Sequence, residues 1–166
     1  TGSSNVFIGN QSGYTTSSGS YNTFLGFQAG FTSNDNYNSF VGYQSGRANT
    51  TGTYNSFFGY LTGLSNTTGD NNVFIGNESG RTNTTGSYNT FMGYQAGYTN
   101  NDNYNSFIGY QAGRANTSGT YNSFLGYNAG LSNTTGDNNV FIGNESGRTN
   151  TTGSYNTFLG FQAGYT

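Results

Sequence analysis

The chain has 166 residues with a formal net charge of −2, 28 glycines, 31% apolar and 17% aromatic residues, and no cysteine, histidine or proline. That inventory excludes disulfides and thiolate or imidazole metal sites, and it removes the side chains of nucleophile–His catalysis, so neither enzymatic activity nor a cofactor is expected. Four arginines without a lysine make no basic patch for phosphates, so no nucleic-acid partner is expected, and no run of 18 apolar residues is present to insert into a membrane.

From the first residues the chain repeats itself. Asn5-Val6-Phe7-Ile8-Gly9 opens the pattern, and its phenylalanine returns as Phe24, Phe40, Phe57, Phe74, Phe91, Phe107, Phe124, Phe141 and Phe158. The interval is 17 residues, shortened to 16 before Phe40 and Phe107. A period this short cannot hold a helix pair or a propeller blade but suits one turn of a β-solenoid. The expected fold is therefore all-β: one parallel β-solenoid, or β-roll, over residues 1–166 in ten coils of 16–17 residues. Two or three short strands per coil, rising by about 4.8 Å, would make a rod about 48 Å long. Disordered chains of similar polarity are poor in aromatics and have no reason to keep them in step.

Along the chain, glycines recur two and six residues after each Phe and, in most coils, five before it. Stacked coils turn such columns into lines of sites that need φ > 0 or close backbone approach. After Phe31 the connection Thr32-Ser33-Asn34-Asp35-Asn36 lacks its glycine, and Asn and Asp are expected to enter the left-handed region there. From Asn72 the text returns almost unchanged at Asn139, so a higher repeat of 67 residues, four coils, runs through the array. No atypical capping coil is visible at either end, which suggests a piece of a longer array or ends that meet other copies.

Within the strand, side chains alternate. The Phe column is expected to face inward together with Asn5, Asn22, Asn38, Asn55, Asn72, Asn89, Asn105, Asn122, Asn139 and Asn156. Those asparagines read as an amide ladder, each bonded to its equivalent above and below, with ligand contact as the alternative. A second apolar column, Ile8, Leu25, Val41, Phe58, Ile75, Met92, Ile108, Leu125, Ile142 and Leu159, falls on the other face. A coil this small has one interior, so this column is expected to be a subunit interface with another copy of the chain. Tyrosine rows such as Tyr21, Tyr54, Tyr88 and Tyr121 could stack on sugars or among themselves. Asn49, Asn66, Asn83, Asn116, Asn133 and Asn150 each begin an Asn-Thr-Thr or Asn-Thr-Ser sequence, which reads either as a glycosylation acceptor or as turn chemistry.

Charge is arranged to avoid stacking on itself. Two like charges about 4.8 Å apart cost ~0.9 kcal/mol even at the dielectric of water. Arg47, Arg81, Arg114 and Arg148 share one column but skip alternate coils, as do Asp35, Asp70, Asp102 and Asp137. The skipping lets an arginine lie against an aromatic neighbour at Tyr98. Glu78 with Arg81, and Glu145 with Arg148, read as exposed pairs worth well under ~1 kcal/mol.

Asn-Val-Phe-Ile-Gly followed by Ser-Gly or Ala-Gly resembles the left-handed β-roll repeats of trimeric autotransporter adhesin heads. Asn89-Thr90-Phe91-Met92-Gly93-Tyr94-Gln95-Ala96-Gly97 is also similar to the repeats of tail-fibre proteins that end in an endosialidase-type chaperone domain. The resemblance covers all ten coils, with Phe where the adhesin head has Ala and a longer coil. It implies a left-handed, parallel homotrimer whose strands face a shared axis, and a place outside the cell, on a cell surface or a virion. The expected function is a structural or adhesive segment of an extracellular fibre, with self-association as trimer or end-to-end filament. A glycan-binding surface or an ice-binding array of Thr50, Thr67 and Thr84 is the alternative.

Overall fold

The computed structural model describes residues 2–165. Ten strands, β1 Val6–Ile8, β2 Thr23–Leu25, β3 Ser39–Val41, β4 Ser56–Phe58, β5 Val73–Ile75, β6 Thr90–Met92, β7 Ser106–Ile108, β8 Ser123–Leu125, β9 Val140–Ile142 and β10 Thr157–Leu159, form one sheet in sequence order. Every neighbouring pair is parallel and places Phe beside Phe, as in Phe7 with Phe24 and Phe124 with Phe141. No helix occurs among the described residues. The chain is thus the all-β parallel solenoid that its period dictates.

Each coil holds one three-residue strand rather than two or three. Four positions per coil take positive φ and cannot continue an extended run. In the coil of β2 these are Tyr21 (φ 60), Gly26 (φ 137), Gln28 (φ 53) and Gly30 (φ 57). The coils remain tied around the rest of the perimeter by backbone bonds that run from coil to coil. The N–H of Gly26 donates to the carbonyl of Ile8 at 2.8 Å, Gly30 to Ser45 at 3.0 Å and Thr32 to Arg47 at 3.1 Å.

The interior is a column of phenylalanine rings. From Phe24 to Phe141 each ring is at most 1% exposed, and successive centroids lie 4.7–5.0 Å apart with the planes within 13° of parallel. Parallel rings at this spacing follow from the sheet repeat itself, which brings identical side chains over one another every ~4.8 Å. Small residues five positions after each Phe close the other side: Ala29, Ala96, Ala112 and Ala129 are buried, while the hydroxyls of Ser45 and Ser79 donate to the carbonyls of Phe57 and Phe91. Glycine six after Phe is required twice over. A Cβ on Gly30 would sit 2.6 Å from the Phe24 ring, at a φ that disfavours any side chain.

The sixteen-residue coils turn differently from expectation. Asn34, Asp35 and Asn36 keep negative φ, as do Asn101, Asp102 and Asn103, and the left-handed residue is the following tyrosine, Tyr37 or Tyr104, as in the longer coils. The glycine missing there, five before Phe, serves space and not conformation: Gly69 has ordinary φ, but a Cβ on it would meet the carbonyl oxygen of Gly86 at 2.3 Å. In the shortened coil the carbonyl of Asp35 takes over the task of that column and accepts from Asn22 Nδ2 at 2.6 Å.

Candidate interaction surface

Two asparagine columns lie inside the coil, and their roles differ from those expected. In the column two before Phe, from Asn22 to Asn139, every residue is buried. Its side-chain oxygen accepts the backbone N–H of the next asparagine, as from Asn38 to Asn22 and Asn105 to Asn89, each at 2.9 Å. Its Nδ2 donates to a backbone carbonyl of the next coil, as from Asn55 to Gly69 at 2.7 Å. The column is therefore mainly a set of side-chain-to-backbone clasps; direct amide-to-amide bonds run from Asn139 to Asn122 and from Asn156 to Asn139, both at 3.1 Å, and from Asn105 across to Asn100 of the second column at 3.0 Å.

The regular amide ladder is the other column, nine after Phe. Asn66 donates to Asn49 at 2.8 Å, Asn83 to Asn66 at 2.9 Å, Asn133 to Asn116 at 2.7 Å and Asn150 to Asn133 at 2.8 Å. These are the asparagines of the Asn-Thr-Thr and Asn-Thr-Ser sequences. Asn49, Asn66, Asn83, Asn116 and Asn133 are fully buried and Asn150 is half-buried. Their Nδ2, the atom a glycan would take, is already donated inside the coil, for instance from Asn116 to Gly119 at 2.8 Å. The glycosylation reading of Asn49, Asn66, Asn83, Asn116, Asn133 and Asn150 is corrected accordingly: the turn chemistry is real, but the side chains point inward. The ladder is interrupted once, at the short coil, where Asn100 donates to the carbonyl of Asp102 and leaves Asn83 Oδ1 without a partner.

Outside, the sheet presents the second apolar column. Leu25, Phe58, Ile75, Met92, Ile108, Leu125 and Ile142 keep 37–46% of their surface open and Val41 is half-buried, with Ile8 and Leu159 of the first and last strands more exposed. Two aromatic rows flank this stripe. Tyr21, Tyr37 and Tyr54 stack at 4.9–5.1 Å, as do Tyr88, Tyr104 and Tyr121 at 4.9–5.2 Å. On the other flank Phe27, Tyr43 and Tyr60 stack at 5.3 Å, and Tyr94, Tyr110 and Tyr127 at 5.1–5.2 Å. Within each trio the ring faces are turned toward one another, so a sugar would find mainly edges and hydroxyls. Most threonine hydroxyls are likewise engaged: Thr50 donates to the carbonyl of Thr67 at 3.0 Å and Thr67 to that of Thr84 at 3.0 Å, while Thr84 donates to Asn101 Oδ1 at 2.6 Å.

Charged residues stand clear of this face. Arg81 and Arg114 lie over opposite neighbours' common ring, Tyr98, at 5.7 and 5.6 Å from its centroid, and Arg47 lies over Phe31 at 5.4 Å. Arg148 pairs with Glu145 at 2.9 Å, whereas Arg81 and Glu78 approach only to 3.6 Å. Among the described residues no group of three His, Cys, Asp or Glu gathers to hold a metal, and no helix is long and apolar enough to cross a membrane. No family model, curated protein or solved structure matches the chain.

Proposed function

We propose that the chain is a structural or adhesive segment of an extracellular fibre, on a cell surface or a virion, in which parallel copies associate through the outward face of the sheet, most simply as a homotrimer. The observation that carries this reading is the unbroken apolar stripe, aliphatic except at Phe58, left open on a coil whose interior is already full. Closing the remaining 37–46% of each such side chain is worth about 0.6 to 1.2 kcal/mol per coil at the usual transfer coefficients. Over the array that reaches roughly 6 to 12 kcal/mol, comparable with the ~4–15 kcal/mol lost in immobilising a partner. The flanking aromatic rows supply the surplus a stable assembly needs.

The interior suits exposure to changing surroundings. It contains rings, amides and small residues with no ionised group, so it is insensitive to the salt and pH of the surroundings. Glycan binding and ice binding are the readings of the same chain with less support, because the ring faces are mutually covered and the hydroxyls of Thr50, Thr67 and Thr84 are spent on the neighbouring coil. Sedimentation equilibrium of the purified chain at micromolar concentration tests the proposal. A trimer mass is expected, and a monomer at that concentration sinks it.

A further inference from the structure

Three columns of the outward side change residue type together, every fourth coil. On the strand, Val6, Val73 and Val140 stand where the other coils carry threonine or serine, and the first of these coils has Ser4 and Asn10 in its flanking rows. In the flanking rows, Asn71 with Asn77, and again Asn138 with Asn144, interrupt the stacked aromatics, and all four are exposed. The surface is thus banded: blocks of three coils with aromatic flanks and strand hydroxyls alternate with single coils that have polar flanks and two aliphatic residues on the outward side of the strand. The ionised side chains lie outside all of these columns, so the bands differ in shape and hydrogen bonding, not in charge.

We propose that neighbouring copies meet parallel and in register, or displaced by whole multiples of the four-coil unit, with the polar-flanked bands acting as register marks. The inference rests on the self-association proposed above. The occupant of the face is a second copy because the face offers no net charge for a charged partner to read, and because its size fits. A ten-strand face about 48 Å long and three to seven residues wide spans roughly 500–1,000 Å², against the ~800 Å² per partner of a standard stable interface. Register follows from what a slip of one coil does at every band edge. It sets a ring against a polar side chain in both flanking rows at once, whichever rows meet. It also sets the hydroxyls of Thr90 and Ser123, which make no hydrogen bond to another described residue, against the valines of the next band, where they cannot be satisfied. A slip of four coils, 67 residues, restores every match.

The test uses the full chain with one spin label. There is no native cysteine, and Thr85 is exposed and uses only its backbone groups, so Thr85→Cys carries a nitroxide without disturbing the face. Pulsed dipolar spectroscopy on the assembled protein is expected to give one narrow inter-copy distance, with at most a second population displaced by four coils, about 19 Å along the axis. The same label is then placed in a chain that also carries Ser4→Tyr, Val6→Thr, Asn10→Tyr, Asn71→Tyr, Val73→Thr, Asn77→Tyr, Asn138→Tyr, Val140→Thr and Asn144→Tyr, which erases the band in all three coils that have it. Tyrosine already stands at φ 59 in the equivalent place at Tyr88, so the coil accepts the change. The distribution is expected to smear in steps of about 5 Å. One-coil steps in the unsubstituted oligomer, or a narrow distribution in both chains, overturns the register inference alone. Absence of dipolar coupling in a protein that sediments as a monomer overturns the self-association as well.

Discussion

Asn89 shows how one side chain holds two coils. Its Oδ1 accepts the N–H of Asn105 and its Nδ2 donates to the carbonyl of Asp102, in a site that is 1% exposed. Asn89→Ala strands the buried N–H of Asn105 at ~1–3 kcal/mol, while the Asp102 carbonyl still accepts from Asn100 Nδ2, so urea denaturation should show a loss of about 1–3 kcal/mol. Asn77→Ala, at an exposed position in the same polar vocabulary, should stay within ~0.5 kcal/mol. Gly80→Ala tests packing and backbone together. Its Cβ would lie 2.5 Å from the Phe74 ring at φ +58, and a loss of at least ~2 kcal/mol in the same assay is expected. The contrast between the two asparagines also explains one misreading of the sequence. The column nine after Phe is as regular as the column two before it, but its residues open Asn-Thr-Thr and read as surface acceptors. Only its persistence from Asn49 through Asn66, Asn83, Asn100, Asn116 and Asn133 marks it as interior. The left-handed tyrosines at Tyr21, Tyr37 and Tyr54 were not legible, because tyrosine has no local preference for that region; Ser4, Asn71 and Asn138 take the same φ in this column, so the place in the coil and not the side chain sets it.

At the scale of the coil, the alternation of charge is a stability device that can be measured. Leu64 occupies the column of Arg47 and Arg81, one coil from each. Leu64→Arg places like charges ~4.8 Å from both neighbours, at ~0.9 kcal/mol each in a water-like dielectric. Thermal unfolding should fall by about 1–2 kcal/mol in 10 mM salt. Most of that difference should vanish in 1 M salt, where the Debye length is ~3 Å. A salt-independent loss would mean that Leu64 matters for packing and not for what it keeps out. Period, strand position and the inward Phe were all readable at this scale, since stacking demands sameness at fixed intervals. The number of strands per coil was not. Each coil carries left-handed turns at Gln28 and Gly30 or their equivalents, and these cut the perimeter into one true strand and a series of corners that still bond to the next coil.

For the whole molecule, the repeat of four coils organises both surfaces. The same 67-residue step spaces Asn71 from Asn138 outside and separates the two short coils that end at Phe40 and Phe107. A fold built this way contacts itself only between neighbours, so its stability is a sum of coil and interface terms, not a single core. Hydrogen exchange should accordingly show the slowest amides in the middle coils, around β5 and β6, with protection falling toward both ends; uniform protection from β1 to β10 would argue for a global transition instead. Fold and axis were legible from the sequence because of this one-dimensional logic. Which copy covers the outer stripe was not, because a sequence repeats along one chain and says nothing directly of its neighbour.

The backbone bonds between coils, such as Gly26 to Ile8 and Gly42 to Leu25 at 2.8 Å, all run nearly parallel to the rod. A force pulling on the two chain ends therefore loads them one coil at a time, like a zipper, while a sideways load is shared by the whole perimeter. In an optical trap a lone chain should unravel in discrete lengths of about 55–60 Å, the contour of one 16- or 17-residue turn. A tether made of this protein would be stiff against bending yet weak against tugging at its termini, and neighbours alongside would have to carry the strain.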